Sequence, residues 1–432
     1  MFVADCLNIN SQGHLTIGGV DTLTLAERYG TPVYLMDENQ IRRNCQKFKE
    51  SIDRYYGGRG LCLYASKAFS CKEIYRIVES EGLGADIVSL GELHTALSAG
   101  FPAEKICYHG NNKTAAELAA VIEHKVGRVV VDNITELELL EHMAKAAGAT
   151  VNVMLRVKPG VEAHTHEYVQ TGQIDSKFGF ALETGEAMAA TIELASMQHL
   201  RLLGMHCHIG SQIFDNEPFA HAARIMMQFY ADVKRETGLE LEEFNIGGGH
   251  GIMYTAEDTP SPFESFMADV SKVIVGESER LGLKQPFVLM EPGRAIVGET
   301  GITLYTVGAV KEIPGIRTYA SIDGGMTDNP RYALYQSKYT ALVAARAGEP
   351  ATSTITLAGR CCETGDLIGK DLPMQPVHVG DVVAVLSTGA YNYSMASNYN
   401  RVPRPPVVMI KDGESRLVVR RESLDDIIRN DI

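Results

Sequence analysis

The chain has 432 residues, 45% hydrophobic and 22% charged, an ordinary composition for a soluble globular protein and long enough for two or so domains. Its formal net charge of −14 argues against nucleic acid as a bulk partner, because binding phosphate needs a basic surface. The sequence contains no run of about 18 apolar residues, which argues against a membrane span.

The opening MFVADCLNIN lacks a basic n-region and an apolar h-region, so it does not read as a signal peptide. LTIGGV (15–20) and TPVYLMD (31–37) follow as strands. QIRRNCQKFKESIDRY reads as a helix, and from there apolar runs alternate with helical patterns. The runs fall at 61–66, 85–88, 106–109, 128–131, 151–157, 201–208, 243–247 and 287–290. CKEIYRIVES, TAAELAAVIEH, ITELELLEHMAKAAG and PFAHAARIMMQFYADVKRE are the clearest helices between them. Alternating strands and helices predict a parallel sheet, and eight such units fit a (β/α)8 barrel over 38–298. A doubly wound open sheet is the alternative, but it would more often carry GxGxxG after its first strand, and none is there.

After residue 298 the texture changes. ITLYTVGAVKEI, RTYASIDGG, STITLAGR, DVVAVLS, RPPVVMI and SRLVVRR read as strands with Gly, Pro and Asp turns between them. The expectation is an all-β domain built from 1–37 with 299–432. The eight cysteines are scattered and form no CxxC pair, so a disulfide framework is not expected and the reducing cytoplasm is.

In a parallel barrel, chemistry gathers at the C-terminal ends of the strands. The residues there are Lys67, Asp86 with Ser89, His109, Asp132, Arg156, His208, Gly247 to Gly249, and Glu291 with Arg294. NIGGGHG (245–251) is either a plain turn or a nest of backbone N–H groups for a phosphate. MHCHIGSQ (205–212) puts His206 and His208 on one side of a strand. His206 reads as a buried, hydrogen-bonded histidine, and His208 as an aromatic plate against a ligand ring. No metal site is expected from this pair, or from His164 and His166 in AHTHEYVQTG. Glu291 in MEPGR is either half of a surface ion pair or a carboxylate aimed into the barrel mouth. A lysine, a phosphate nest, a flat histidine and a carboxylate are together the parts that pyridoxal phosphate needs. Lys67 is then expected to be neither exposed nor paired, but covalently occupied.

YASKAF, HCHIGSQ, NIGGG, MEPGRAIVGETG, DNPRYALY, CCETGD and GAYNYSMASNYNRVPRP together resemble the fold-type III pyridoxal-phosphate decarboxylases. YHGNNK (108–113) and TGQIDSKFGF (171–180) look like the branch of that family that converts meso-2,6-diaminopimelate to L-lysine and carbon dioxide. The resemblance covers about 30–410 and implies an alanine racemase/ornithine decarboxylase-like fold with pyridoxal 5'-phosphate as cofactor. It implies that Lys67 is the Schiff-base lysine, that His208 stacks on the cofactor ring, and that Ser211, Gly247, Gly248 and Gly249 hold the phosphate. Glu291 matches the partner of the pyridine nitrogen, and Arg294 the cofactor–substrate boundary. Arg331 and Tyr335 match contacts to a substrate carboxylate. Tyr391 matches a tyrosine near phosphate and substrate, and Asp86 an acidic position close to the lysine. Cys362 and Glu363 match a proton donor and an ammonium-binding carboxylate supplied across a homodimer interface. Departures from the family pattern are Phe69, Tyr332, Thr364 and the extra thiol of Cys361. The rival readings are a related decarboxylase of ornithine, arginine, carboxynorspermidine or a D-amino acid, a non-catalytic cofactor-binding relative, and a metal hydrolase using the His pairs. The stretch around 161–176 is the candidate for a loop that closes over the site.

Overall fold

The computed structural model describes residues 4–161 and 176–432. The chain divides into two compact units. One comprises Cys45–Gly251 and Pro260–Gly293, and the other takes the chain up to Asn44, Ile252–Thr259 and Arg294–Ile432.

The first unit holds eight parallel strands: Gly60–Ala65, Gly84–Ile87, Ile106–Tyr108, Arg128–Val131, Val151–Lys158, Leu200–His206, Glu243–Asn245 and Phe287–Met290. Each pairs with its neighbours, and Phe287–Met290 lies beside Gly60–Ala65, so the sheet closes on itself. This is the (β/α)8 barrel that the sequence predicts, with strand ends within two residues of expectation. Leu63, Cys107, Val130, Met154 and Leu289 come from different strands and pack together in one buried cluster. Such a layer fills the barrel, leaving chemistry to its rim.

Three of the helices between strands begin on side-chain caps. Thr114 makes a capping box with Glu117 at the start of Ala115–Glu123. Ser89 accepts from the Glu92 N–H at the start of Leu90–Ser98, so it holds a helix end rather than a site. Asn133 does the same for Ile134–Ala147.

The second unit is β-rich, as expected. Its long strand, Gly301–Ile313, pairs antiparallel with Val33–Asp37, Arg317–Ile322 and Val382–Val385. Val33–Asp37 also pairs in parallel with Val407–Lys411, so TPVYLMD sits inside the C-terminal sheet. LTIGGV does not join it. Leu15–Ile17 forms a separate three-stranded sheet with Leu7–Ile9 and Val20–Asp21. Among the described residues no helix is long and apolar enough to cross a membrane.

Candidate active site

A cavity of about 370 Å³ opens at the C-terminal ends of the barrel strands. Lys67, Asp86, His109, Arg156, His206, His208, Gly248 and Glu291 line it, with Phe178 from the SKFG stretch. Lys67 occupies a short 3₁₀ turn, Ser66–Ala68, directly after the first strand. Its neighbours Ser66 and Ala68 are buried, but Lys67 itself is exposed. The tight turn carries the side chain out of the packed layer and into the opening.

Glu291 is buried at the end of the eighth strand and is held on several sides. Asn245 Nδ2 donates to Oε1 at 2.6 Å. His206 Nε2 stands 3.1 Å from Oε2, and His109 Nε2 lies 2.7 Å from Oε1. Burial alone would raise this carboxyl, but the charge of His109, with hydrogen bonds from His109 and His206, holds it well below the usual carboxylate range. Burial works against a charge on His109 as well, yet Glu291 and Asp86 carry it well above the ordinary imidazole value. Burial pushes His206 down to about 4. Burial, with Lys67 and Arg156 nearby, also pushes His208 well down. The cavity floor is therefore an ionised Glu291–His109 pair beside two neutral imidazoles. His206 is the buried, bonded histidine that the sequence suggests, and Glu291 is no surface ion pair.

The glycine run follows the seventh strand, and no side chain fits there. A Cβ on Gly248 would stand 2.1 Å from the Glu291 carbonyl oxygen, and one on Gly249 2.3 Å from that of Gly210. Gly247 has φ +70 and its N–H donates to Asn245 Oδ1 at 2.9 Å. Asn245 thus ties the glycine run to Glu291, a role hidden in the sequence because the two residues are 46 apart. Ser211 lies on the loop after the sixth strand, partly buried.

His250, which follows the glycine run, sits in an apolar cage. Its ring stacks on Phe219 at 5.3 Å and meets Phe48, Phe263 and Phe266 edge-on. Neither ring nitrogen finds a hydrogen-bond partner, and burial pushes the imidazole down to about 3. The folded ring stays neutral while the unfolded one gains a proton below its ordinary value near 6.5. The unfolded state then binds more protons, so stability falls as the pH drops from about 6.5 towards 3, by up to about 1.4 kcal/mol per pH unit. His250→Leu is expected to raise the unfolding midpoint at neutral pH by roughly 2–4 °C. It should also flatten this part of the acid profile, read by thermal melts from pH 7 to 4. An unchanged slope would contradict the account.

The remaining sequence-predicted residues lie in the β-rich unit. Arg331, on the short helix Arg331–Tyr335, is buried. Its Nη1 donates to Tyr254 Oη at 2.9 Å and to Tyr339 Oη at 3.0 Å. Arg294 also donates to Tyr254 Oη. The Arg331 guanidinium is 5.7 Å from the Tyr391 ring and 6.0 Å from the Tyr335 ring, and that of Arg294 is 4.8 Å from Tyr391. Tyr391 has φ +64, uncommon outside glycine and costly enough to suggest use. Cys362 and Glu363 stand exposed on a turn. Asp366 fixes that turn by accepting from the Cys361 and Met326 N–H groups at 2.7 and 2.6 Å. Tyr254, Tyr339 and Asp366 carry no signal in the sequence beyond their residue type. His164, His166 and the core of the candidate closing loop fall on 162–175, outside the described residues.

Cys107, His109 and Glu291 bring donor atoms within 4.8 Å of one another, the spacing of a metal site. Burial pushes the Cys107 thiol up and away from thiolate, and His109 is held protonated. As held here, the set is a close Glu291–His109 ion pair at 2.7 Å beside a protonated thiol. Residues 38–298 match the family model "Pyridoxal-dependent decarboxylase, pyridoxal binding domain". The chain belongs to the pyridoxal-dependent decarboxylases. A diaminopimelate decarboxylase of Bacillus subtilis (strain 168) is 47% identical over 432 residues, covering 100% of this chain and 98% of the relative. The diaminopimelate decarboxylase of M. jannaschii, solved in complex with L-lysine, superposes with a TM-score of 0.91 at 36% identity, over 100% of this chain and 99% of that one. That of Helicobacter pylori, also with L-lysine, gives 0.86 at 30% identity, over 95% and 98%.

The barrel mouth suits what a pyridoxal-dependent decarboxylase must hold. The glycine run carries no side chains and packs closely against the Glu291 and Gly210 carbonyls, so backbone N–H groups are what it can offer a phosphate. Asp86 Oδ1 is buried without a hydrogen bond and faces His109 Nε2 at 3.6 Å, which leaves it room to accept one from a bound group.

Proposed function

We propose that this chain removes one carboxyl group of meso-2,6-diaminopimelate as carbon dioxide, leaving L-lysine. The observation that carries the choice of substrate is the convergence of Arg294 and Arg331 on one phenol oxygen. Two buried cations suit a substrate with a second carboxylate, because guanidinium matches carboxylate in a bidentate fork. The full-length likeness to diaminopimelate decarboxylases supports the same reading. Ornithine lacks the second carboxylate and would offer those guanidinium groups nothing to bind.

Pyridoxal phosphate, when bound, supplies the electron sink that accepts the pair left by departing carbon dioxide. Lys67 would hold it covalently. Ser211 and Gly247 to Gly249 would hold its phosphate, and Tyr391 would lie near that end. Glu291 would keep a proton on the ring nitrogen, helped by its own low proton affinity and by the dry floor around it. His208, neutral and half-buried, would lie flat on the ring. Asp86 would balance the lysine end of the cavity. Arg294 and Arg331, with Tyr335, would hold the distal carboxylate, and Glu363 the distal ammonium. Cys362 would return a proton to the carbon that lost carbon dioxide.

Cys362 and Glu363 are exposed here, so we assign them to the site of a second copy in a homodimer, working in the cytoplasm. Cys362→Ala is expected to leave cofactor affinity unchanged and to lower kcat about 100-fold, the usual cost of losing a positioned proton donor. Steady-state rates with equilibrium dialysis of the cofactor check this, and full activity would refute the role. The substrate assignment is tested by product analysis with meso-diaminopimelate, with and without added pyridoxal phosphate.

A further inference from the structure

Tyr254 lies just beyond the glycine run in sequence, on a segment of the β-rich unit, and is 7% exposed. Its backbone is fixed on both sides. The Tyr254 and Thr255 N–H groups donate to Asp258 Oδ2 at 2.9 and 2.8 Å. Its carbonyl accepts from the Thr340 hydroxyl at 2.9 Å. The ring meets Tyr339 edge-on at 5.3 Å. The phenol oxygen is thus delivered to one place, where Arg294 Nη1 and Arg331 Nη1 both donate to it.

Two guanidinium groups so close repel each other unless something negative lies between them. The phenol oxygen meets that need. Burial would raise the phenol, but the two arginines bring it below its usual range. Neither arginine could converge this way on a phenylalanine.

We propose that Tyr254 is a positioning residue for substrate selection: its phenol oxygen holds Arg294 and Arg331 aimed together, so that both receive the carboxylate at the far end of the substrate. The inference rests on the proposed substrate. It differs from a structural role in one respect. Losing the hydroxyl should weaken only ligands that carry that carboxylate.

L-Lysine and cadaverine differ by that one carboxylate, so calorimetric titration of both into the cofactor-loaded enzyme isolates it. For Tyr254→Phe, the Kd of L-lysine should rise about tenfold or more, while that of cadaverine stays the same. KM for meso-diaminopimelate should rise by a similar factor with kcat within about threefold. Unchanged L-lysine affinity, or equal weakening of both ligands, would overturn the proposal. A second measurement needs only the wild-type protein. An ultraviolet titration of tyrosinate should show a phenol ionising below the usual range, and L-lysine but not cadaverine should move it upward. No shift with L-lysine would also overturn the role. Wild-type inactivity on meso-diaminopimelate would sink the proposed substrate instead, and the two binding arms would still decide Tyr254.

Discussion

Lys67→Ala is expected to lose turnover by about 10⁴-fold or more, the scale seen when a covalent nucleophile is removed. The reason is local. The 3₁₀ turn Ser66–Ala68 presents one amine to the cavity, and the flanking residues Ala65, Ser66, Ala68 and Phe69 are buried, so no neighbour can swing in to replace it. Packing around the turn does not depend on the exposed side chain, so the fold should be kept. Reductive trapping followed by intact mass measurement should show cofactor fixed to the wild-type chain and none on the variant. Activity within tenfold of wild type would mean that another amine does the work.

Glu291→Gln is the second large effect. The amide keeps the shape and an acceptor for Asn245 Nδ2, but it removes the charge that His109 and His206 face. Turnover should fall about 10²–10³-fold, the cost of losing one preorganised charge in a dry site. The expected split is in kcat, with KM nearly unmoved, since this group never touches the distal end of the substrate. His109 should lose its main reason to stay protonated, and NMR of the ring should report a lower titration point. The wild-type carboxyl lies well below its usual range because its histidine neighbours outweigh burial. It stays ionised through mild acid, so an acid limb in the activity profile should not vanish in Glu291→Gln. Near-normal kcat in this variant would remove Glu291 from the chemistry.

Much of this was legible in the chain, for reasons that can be named. The barrel strands are short apolar runs separated by amphipathic helices, and both periodicities are local. Lys67, His208 and Glu291 stood out because each puts a polar group where an apolar strand ends. Leu367–Met374 was not legible: LIGKDLPM has weak strand character, and Pro373 is tolerated because that strand lies at a sheet edge. Asn245 and Tyr254 were hidden for a different reason. Their partners Glu291 and Arg331 are 46 and 77 residues away, and only the folded chain brings them together. The tight turn that carries Lys67 was hidden because a strand pattern does not show how the strand ends. Asp366 lies inside the quoted CCETGD motif, yet its work of fixing the turn through backbone N–H groups has no sequence signature.

The central claim is the identity of the substrate, and one measurement bears on it most directly. Purified enzyme loaded with pyridoxal phosphate is given meso-diaminopimelate, ornithine or D-lysine, and both carbon dioxide and the amine product are quantified. The account predicts carbon dioxide and L-lysine in equal amounts from meso-diaminopimelate, dependent on the cofactor, and little from the other two. Carbon dioxide from ornithine or D-lysine, with none from meso-diaminopimelate, would contradict it.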